Sequence, residues 1–355
     1  MSCYAPLRGI YKGTDENGKK ILKIVPFDAR VSEMFDSNTK YYELPCGHCA
    51  GCREDQAREW ANRLLMEYQY EKDAWFLTLT YSKWYEDHLK RDGVDLDTGE
   101  FKKWLSLDKR DLQLFMKRLR KRFPDQKIRF YAAGEYGSKE RPHFHLILFG
   151  LKLHTDTDKF PDEKLIPCGR SETGHQYYRI KCIEDCWRDT KNRKLNLDAK
   201  AAGLDPNLIG FISFEPANYY TFKYVASYVT KKIGIKPNLT YELEGRSPPF
   251  SVSSRRPGIG YQYYIDHQEE MLDGMFYLSG VDGVVKCSPP DYFKKKFKEE
   301  RPQEAELLSE RNMKKAADVL DAELTMTNYS QKELYNVKEQ NKKAKINAYN
   351  KMKKI

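Results

Sequence analysis

The stretch Pro142-His-Phe-His-Leu-Ile-Leu-Phe149 alternates two histidines with large apolar residues and then runs apolar to Gly150. In a strand, residues two apart share a face, so His143 and His145 project side by side while Phe144, Leu146 and Leu148 turn into a core. The segment before it, Lys127 to Glu135, reads as a second strand, and Tyr136-Gly-Ser-Lys-Glu-Arg141 between them is a polar connection with a glycine; together they predict a β-hairpin. That hairpin sets Glu135 opposite the start of the histidine strand. Two imidazoles and a carboxylate so placed can share one divalent ion and leave positions open for water and phosphate oxygens, which suits Mg²⁺ or Mn²⁺ acting on a phosphodiester more than a closed structural zinc site. The plainer reading is a half-exposed strand with incidental histidines, although the whole chain has only seven His.

Outward from this hairpin, Trp75-Phe-Leu-Thr-Leu-Thr-Tyr81 predicts a strand with Leu77 and Leu79 on one face and Thr78 and Thr80 on the other. An amphipathic helix precedes it over about 51–72, with Ala57, Trp60, Ala61, Leu64, Leu65 and Tyr68 at three-and-four spacing. Another follows over about 106–123, with Ser106 as the expected N-cap, Leu112, Phe115, Met116 and Leu119 as its apolar stripe, and Pro124 as its stop. From 152 to 207 the pattern weakens into an insertion rich in Asp, Lys and Gly, with one helix expected around Cys182 to Lys191. A strand returns at Leu208 to Phe214. The helix expected next, Ala217 to Ile233, buries Phe222, Val225, Ala226 and Val229 and places Tyr224 and Tyr228 one turn apart on another flank with Tyr220, Ser227 and Lys231. Phenols and an ammonium on one flank are nucleophiles with a charge stabiliser, or else packing residues in a chain with 25 Tyr. The last 25 residues, with eight Lys and two Glu, predict a basic, mobile or loosely helical tail.

Strands linked by hairpins and long crossings argue for an α+β fold, an antiparallel sheet flanked by helices with a helical basic C-terminal tail. The expected division is a Cys-rich segment and helix at 1–72 packed on the main domain, a main domain at 73–265 containing the insertion, and a charged, partly helical region at 266–355. A net charge of +10 over 355 residues suits a polyanionic partner, nucleic acid first. No run is apolar and long enough for a membrane span, and the first residues lack a signal-peptide core, so a cytoplasmic location is expected.

In that setting the eight cysteines are expected to be reduced. Cys46, Cys49 and Cys52 form a compact cluster to which Cys3 or His48 would add a fourth ligand for tetrahedral Zn²⁺; an iron–sulfur cluster and buried free thiols are the alternatives. Cys182 and Cys186 read as packing residues. Gly13-Thr-Asp-Glu-Asn-Gly-Lys-Lys20 nearly spells a phosphate-binding loop but has Lys20 where a Ser or Thr must hold Mg²⁺, so it reads as a hairpin turn, and an unwinding motor is expected from a partner. Ser253-Ser-Arg-Arg-Pro-Gly-Ile-Gly260 offers hydroxyls and the guanidiniums of Arg255 and Arg256 to a phosphodiester, with Tyr261, Tyr263 and Tyr264 as stacking candidates.

Phe76-Leu-Thr-Leu-Thr-Tyr81, Pro142-His-Phe-His-Leu-Ile-Leu148 and Tyr224-Val-Ala-Ser-Tyr228-Val-Thr-Lys231 resemble, in order, the three motifs of the HUH endonuclease superfamily of rolling-circle replication initiators. Cys3-Tyr-Ala-Pro-Leu7, Pro45-Cys-Gly-His-Cys-Ala-Gly-Cys-Arg53 with Arg58-Glu-Trp-Ala-Asn-Arg63, and Ser254-Arg-Arg-Pro-Gly-Ile-Gly260 resemble the initiators of Microviridae, particularly the gokushovirus group. The resemblance covers about residues 3–265. It implies Glu135, His143 and His145 as ligands of Mg²⁺ or Mn²⁺, Tyr224 and Tyr228 as alternating nucleophiles, and a nicking and strand-joining enzyme working on origin and single-stranded DNA in a bacterial host, with host helicase and DNA polymerase. The expected DNA contacts are Thr78, Thr80, Lys232, Arg255 and Arg256. One departure is Ser227, where two-tyrosine initiators often carry a basic residue; Lys231, a turn further on, takes that role in this reading. The competing expectation is a non-catalytic, zinc-stabilised single-stranded-DNA-binding or packaging protein whose tyrosines stack on bases.

Overall fold

The computed structural model describes residues 3–16, 20–27, 41–137, 139–170, 174, 176–189, 197, 200–201, 207–232, 238–280 and 283–352. The chain forms two compact units, 1–56 with 298–355, and 57–297; the sequence reading draws its divisions at 72/73 and 265/266. In the first unit β1 (Leu7–Thr14) pairs antiparallel with β2 (Lys20–Pro26) and β3 (Tyr41–Leu44). Thr14 faces Lys20 across the β1–β2 hairpin, so the stretch that nearly spells a phosphate loop is a hairpin turn, with 17–19 outside the described residues. The C-terminal region is more regular than a loose tail: Pro302–Thr327 and Gln331–Met352 are long helices.

The second unit is built on a seven-stranded antiparallel sheet, so the fold is α+β as expected. Its strands are β4 (Ala74–Thr80), β7 (Arg129–Tyr136), β8 (Pro142–Phe149), β9 (Ile166–Arg170), β10 (Gln176–Arg179), β11 (Ile212–Pro216) and β12 (Phe250–Ser253), in the order β12-β7-β8-β4-β11-β10-β9. Two-stranded ribbons β5–β6 (Lys90–Val94, Phe101–Leu105) and β13–β14 (Phe276–Gly280, Gly283–Cys287) stand outside it. The edge strands β9 and β10 lie in the segment read as a patternless insertion. The helix expected around Cys182 to Lys191 is shorter, Lys181–Glu184, and its cysteines are packing residues as read, Cys182 and Cys186 being buried in the core.

Pleating divides the sheet's residues by parity. Leu77 and Leu79 of β4, Ala132 of β7, and Phe144, Leu146 and Leu148 of β8 form one buried cluster with Leu112, Phe115, Met116 and Leu119 of the helix Lys109–Arg122. Phe144 is fully buried, and truncating such a ring costs about 3–5 kcal/mol. The intervening residues, including Thr78, Glu135, His143 and His145, take the opposite face. The N-cap of the helix is Asp108, whose carboxylate accepts from the Arg110 N–H at 2.7 Å, rather than Ser106. Ser106 is buried and its hydroxyl accepts from Ser247 N at 3.0 Å, which removes it from capping duty. No helix among the described residues is long and apolar enough to cross a membrane.

Candidate active site

Register brings the three expected ligands together. Glu135 lies directly across from His143 on the β7–β8 pair, and Thr80 and Thr78 of β4 lie across from His143 and His145. Glu135 Oε1 is 2.8 Å from His143 Nε2 and 3.2 Å from His145 Nε2. The distal nitrogens are fixed from behind: His143 Nδ1 donates to the Arg141 carbonyl at 3.1 Å, and His145 Nδ1 shares a 3.0 Å hydrogen bond with Thr78 Oγ1. Because a carbonyl only accepts, His143 carries its proton on Nδ1 and aims Nε2 at a carboxylate oxygen, an arrangement that a proton or a metal cation at Nε2 makes favourable. The other oxygen, Glu135 Oε2, is buried with no hydrogen-bond partner among the described residues, in a side chain only 1% exposed. An orphaned buried carboxylate oxygen and two convergent imidazole nitrogens, all within 4.8 Å, fit a divalent ion. Burial works to raise the Glu135 carboxyl, but the hydrogen bonds from His143 and His145 outweigh it and hold it below the ordinary range. Burial also pushes the His145 imidazole down, against the opposing pull of Glu135. Both shifts favour the ligating forms.

The tyrosine helix, Tyr219–Lys232, begins where the Asn218 side chain accepts from Tyr220 N and Thr221 N at 2.9 and 3.1 Å. Phe222, Val225 and Ala226 are its buried stripe. Phe222 packs against Phe149 and against Tyr68 of the helix Ala50–Tyr70, which lays the tyrosine helix over the histidine face. Tyr224 is 39% exposed, and its ring stands edge-on to His145 with centroids 5.3 Å apart, and to Phe76 at 5.9 Å. Ser227 Oγ donates back to the Tyr224 carbonyl at 2.9 Å. The helix backbone continues through Tyr228, Val229, Lys231 and Lys232, whose side chains lie outside the described residues.

The expected DNA contacts separate. Thr78 is the hydrogen-bond partner of His145, and Thr80 Oγ1 is engaged with the Phe211 backbone at both N and O. Arg255 and Arg256 are exposed on a loop whose carbonyls are gripped from inside: Arg129 donates to Pro257 O and Gly258 O, and Arg63 to Ile259 O. Glu67 pairs with Arg129 and accepts from Gly260 N at 2.7 Å. Arg63 and Glu67, one turn apart on a helix, are the supporting residues that sequence reading passed over; their spacing was the available signal. Tyr263 and Tyr264 are buried, packed near Phe276 and Phe293, and so are not free to stack on bases.

In the other unit Cys3, Cys46, Cys49 and Cys52 bring their sulfurs within 4.8 Å of one another. Cys49 and Cys3 Sγ are 3.9 Å apart, and Cys46 and Cys52 Sγ 4.0 Å, close to the roughly 3.8 Å edge of a tetrahedron with 2.3 Å Zn–S bonds. The fourth partner is Cys3 rather than His48, whose Nδ1 turns to the Cys46 carbonyl at 2.8 Å. Burial raises these thiols, to about 11 at Cys3 and higher at Cys52, but backbone N–H groups of Cys52 and Tyr4 bring Cys49 down to about 7. The set could hold a tetrahedral thiophilic ion.

Residues 74–233 match a family model for replication-associated proteins of the ORF2 type. The chain is 27% identical over 311 residues to the replication-associated protein ORF2 of Spiroplasma virus 4, covering 84% of this chain and 81% of that one. It is 25% identical over 309 residues to the replication-associated protein VP4 of Bdellovibrio phage phiMH2K, covering 84% and 79%. No solved structure matches. The segment that carries the histidine hairpin and the tyrosine helix therefore belongs with the replication-associated proteins of the ORF2 type, and the chain around it is similar to phage replication-associated proteins over most of its length.

Proposed function

We propose that this protein initiates replication of a phage genome by nicking and rejoining DNA through a tyrosine, in a host cell whose helicase and polymerase supply unwinding and synthesis. The observation that carries the reading is the placement of Tyr224 against His145, next to the converging Nε2 atoms of His143 and His145 and the carboxylate of Glu135. A divalent metal held by Glu135, His143 and His145, Mg²⁺ or Mn²⁺ by donor type, would polarise the scissile phosphate. Tyr224 Oη attacks phosphorus; the bond to the 3′ oxygen breaks, the 5′ phosphate stays on the tyrosine, and the phenolic proton ends on the freed 3′ hydroxyl. That hydroxyl primes synthesis. Tyr228 attacks the regenerated origin in the same way, and the released 3′ hydroxyl displaces Tyr224 to close the circle, conserving one phosphodiester at each exchange. Lys231 offsets phenolate charge, and Lys232, Arg255 and Arg256 hold the strand. The end of β12 faces Tyr131, four residues and about 13 Å along β7 from Glu135, a span of two or so nucleotides. The cysteine set is read as structural Zn²⁺.

The test incubates purified protein with labelled single-stranded DNA of its own genome, with Mn²⁺ or EDTA, and maps any denaturant-resistant adduct by mass spectrometry. A metal-dependent adduct on Tyr224 or Tyr228 that disappears in H143A supports the reading. Tight binding with no adduct on any genome segment favours a non-catalytic DNA-binding protein instead.

A further inference from the structure

We propose that Arg246 is a positioning residue for the metal hairpin, a buried clamp joining the segment after the tyrosine helix to the turn that orients His143. The inference rests on the reading of Glu135, His143 and His145 as ligands. The turn between β7 and β8 is closed by Gly137 N donating to Arg141 O at 2.9 Å and Glu140 N donating to Gly137 O at 3.0 Å. The same Arg141 carbonyl accepts from His143 Nδ1, so the turn's geometry sets the imidazole's tautomer and tilt. Glu140 has φ of 53°, in the left-handed region that a non-glycine residue keeps only when something holds it.

Arg246 is what holds it. Its side chain is fully buried, Nη2 lies 2.7 Å from Glu140 Oε2, and Nη1 lies 3.1 Å from Glu244 Oε2. The guanidinium stacks 3.9 Å from the ring centre of Tyr136, the residue after Glu135. The Tyr136 hydroxyl donates to the Ser247 carbonyl at 2.6 Å and accepts from Leu107 N at 3.0 Å. Residues 246 and 247 therefore grip the hairpin on both sides of its turn, beside Glu135 and beside Arg141. The grip is itself braced: Gly245 has φ of 67°, and a Cβ there would lie 2.3 Å from Asp92 O, so the β5 backbone backs directly against it. A planar fork that serves two carboxylates and one ring is a task for arginine and not for lysine. Arg246 follows the end of the tyrosine helix at Lys232 by fourteen residues, so one run of chain carries both the nucleophiles and the brace of the metal site.

The test compares full-length wild type, R246K and E140Q. Three quantities are measured: Mn²⁺ affinity by calorimetry, the His143 Nδ1–H resonance by NMR in metal-free protein, and thermal melting. The Glu140 side chain is 57% exposed, so E140Q is expected to fold and melt normally. We expect R246K to weaken Mn²⁺ binding tenfold or more and E140Q several-fold, with the Nδ1–H signal lost or exchange-broadened in both. Wild-type affinity and an intact signal in both variants, even with lower melting of R246K, would mean that Arg246 only packs, and the proposal falls. If R246K does not fold, E140Q decides alone, by the same criteria. If wild type binds no Mn²⁺ while the Nδ1–H signal still depends on Arg246, the clamp stands and the metal reading fails.

Discussion

The two ligand clusters are opposite solutions to holding an ion. Cys3, Cys46, Cys49 and Cys52 supply four sulfurs, three of them in buried residues, and backbone N–H groups of Tyr4, Cys46, Cys49 and Cys52 point at those sulfurs. Such a set closes a tetrahedron and leaves nothing for a substrate. Glu135, His143 and His145 supply three ligands from two adjacent strands, with an aromatic nucleophile candidate standing beside them. That set is open on one side. The contrast teaches that the first serves a fold and the second serves chemistry, because what a site leaves uncoordinated decides what it can do.

The largest effect should come from emptying the closed site. Stripping a zinc-type ion with a strong chelator, or replacing Cys49 by Ser, should remove on the order of 10 kcal/mol of apparent folding free energy from the unit built on 1–56 and 298–355, seen as loss of hydrogen-exchange protection there. Persistent protection would break the comparison. At the open site, H143A or E135A should cut nicking by roughly three orders of magnitude, since a metal at a phosphoryl oxygen supplies several kcal/mol, while melting shifts by only a few degrees. Collapse of the fold in H143A would reverse the assignment. A smaller change is expected from T78V, which keeps the shape but removes the partner of His145 Nδ1; Mn²⁺ affinity should drop about 10- to 100-fold in a titration, and an unchanged affinity would show that the imidazole needs no orienting.

The smallest effect sharpens what the imidazoles contribute. Asp111 is also a buried carboxylate in this unit, but its partners are the phenols of Tyr81 and Tyr85. Burial, with Asp108 nearby, raises it to about 6, the reverse of the shift at Glu135. The folded state therefore binds this proton more tightly than the unfolded chain does; the stability it contributes is complete below about pH 4 and is lost as pH rises through about 6. The loss is at most about 3 kcal/mol. D111N should flatten the fall in stability between pH 4 and 6 relative to wild type in denaturant titrations, and an identical slope would refute the assignment.

How much of this was legible in the sequence follows from where each interaction lives along the chain. The parity of Phe144 and Leu146 against His143 and His145 is local, and so are the Leu77–Thr78 alternation and the Phe222, Val225, Ala226 stripe; all were readable. The cap at Ser106 misled because its hydroxyl is used by Ser247, 141 residues away. The strands β9 and β10 were invisible because at the sheet's edge their residues are exposed or half-buried, and no alternation is selected. Tyr263 and Tyr264 looked like a stacking surface until packing near Phe276 and Phe293 placed them in the interior. The brace at Arg246 spans 106 residues to Glu140, and no periodicity announces such a pair.

The parity of β8 also limits how this site can change over evolutionary time. Alternate residues of one strand carry the ion ligands and the core, so inserting or deleting a single residue between Pro142 and Phe149 would turn the imidazoles inward and Phe144 outward in one event. Substitution can tune this strand, but its length is open only to paired changes, and a lineage seeking new chemistry must vary the loops and helices above the histidines instead.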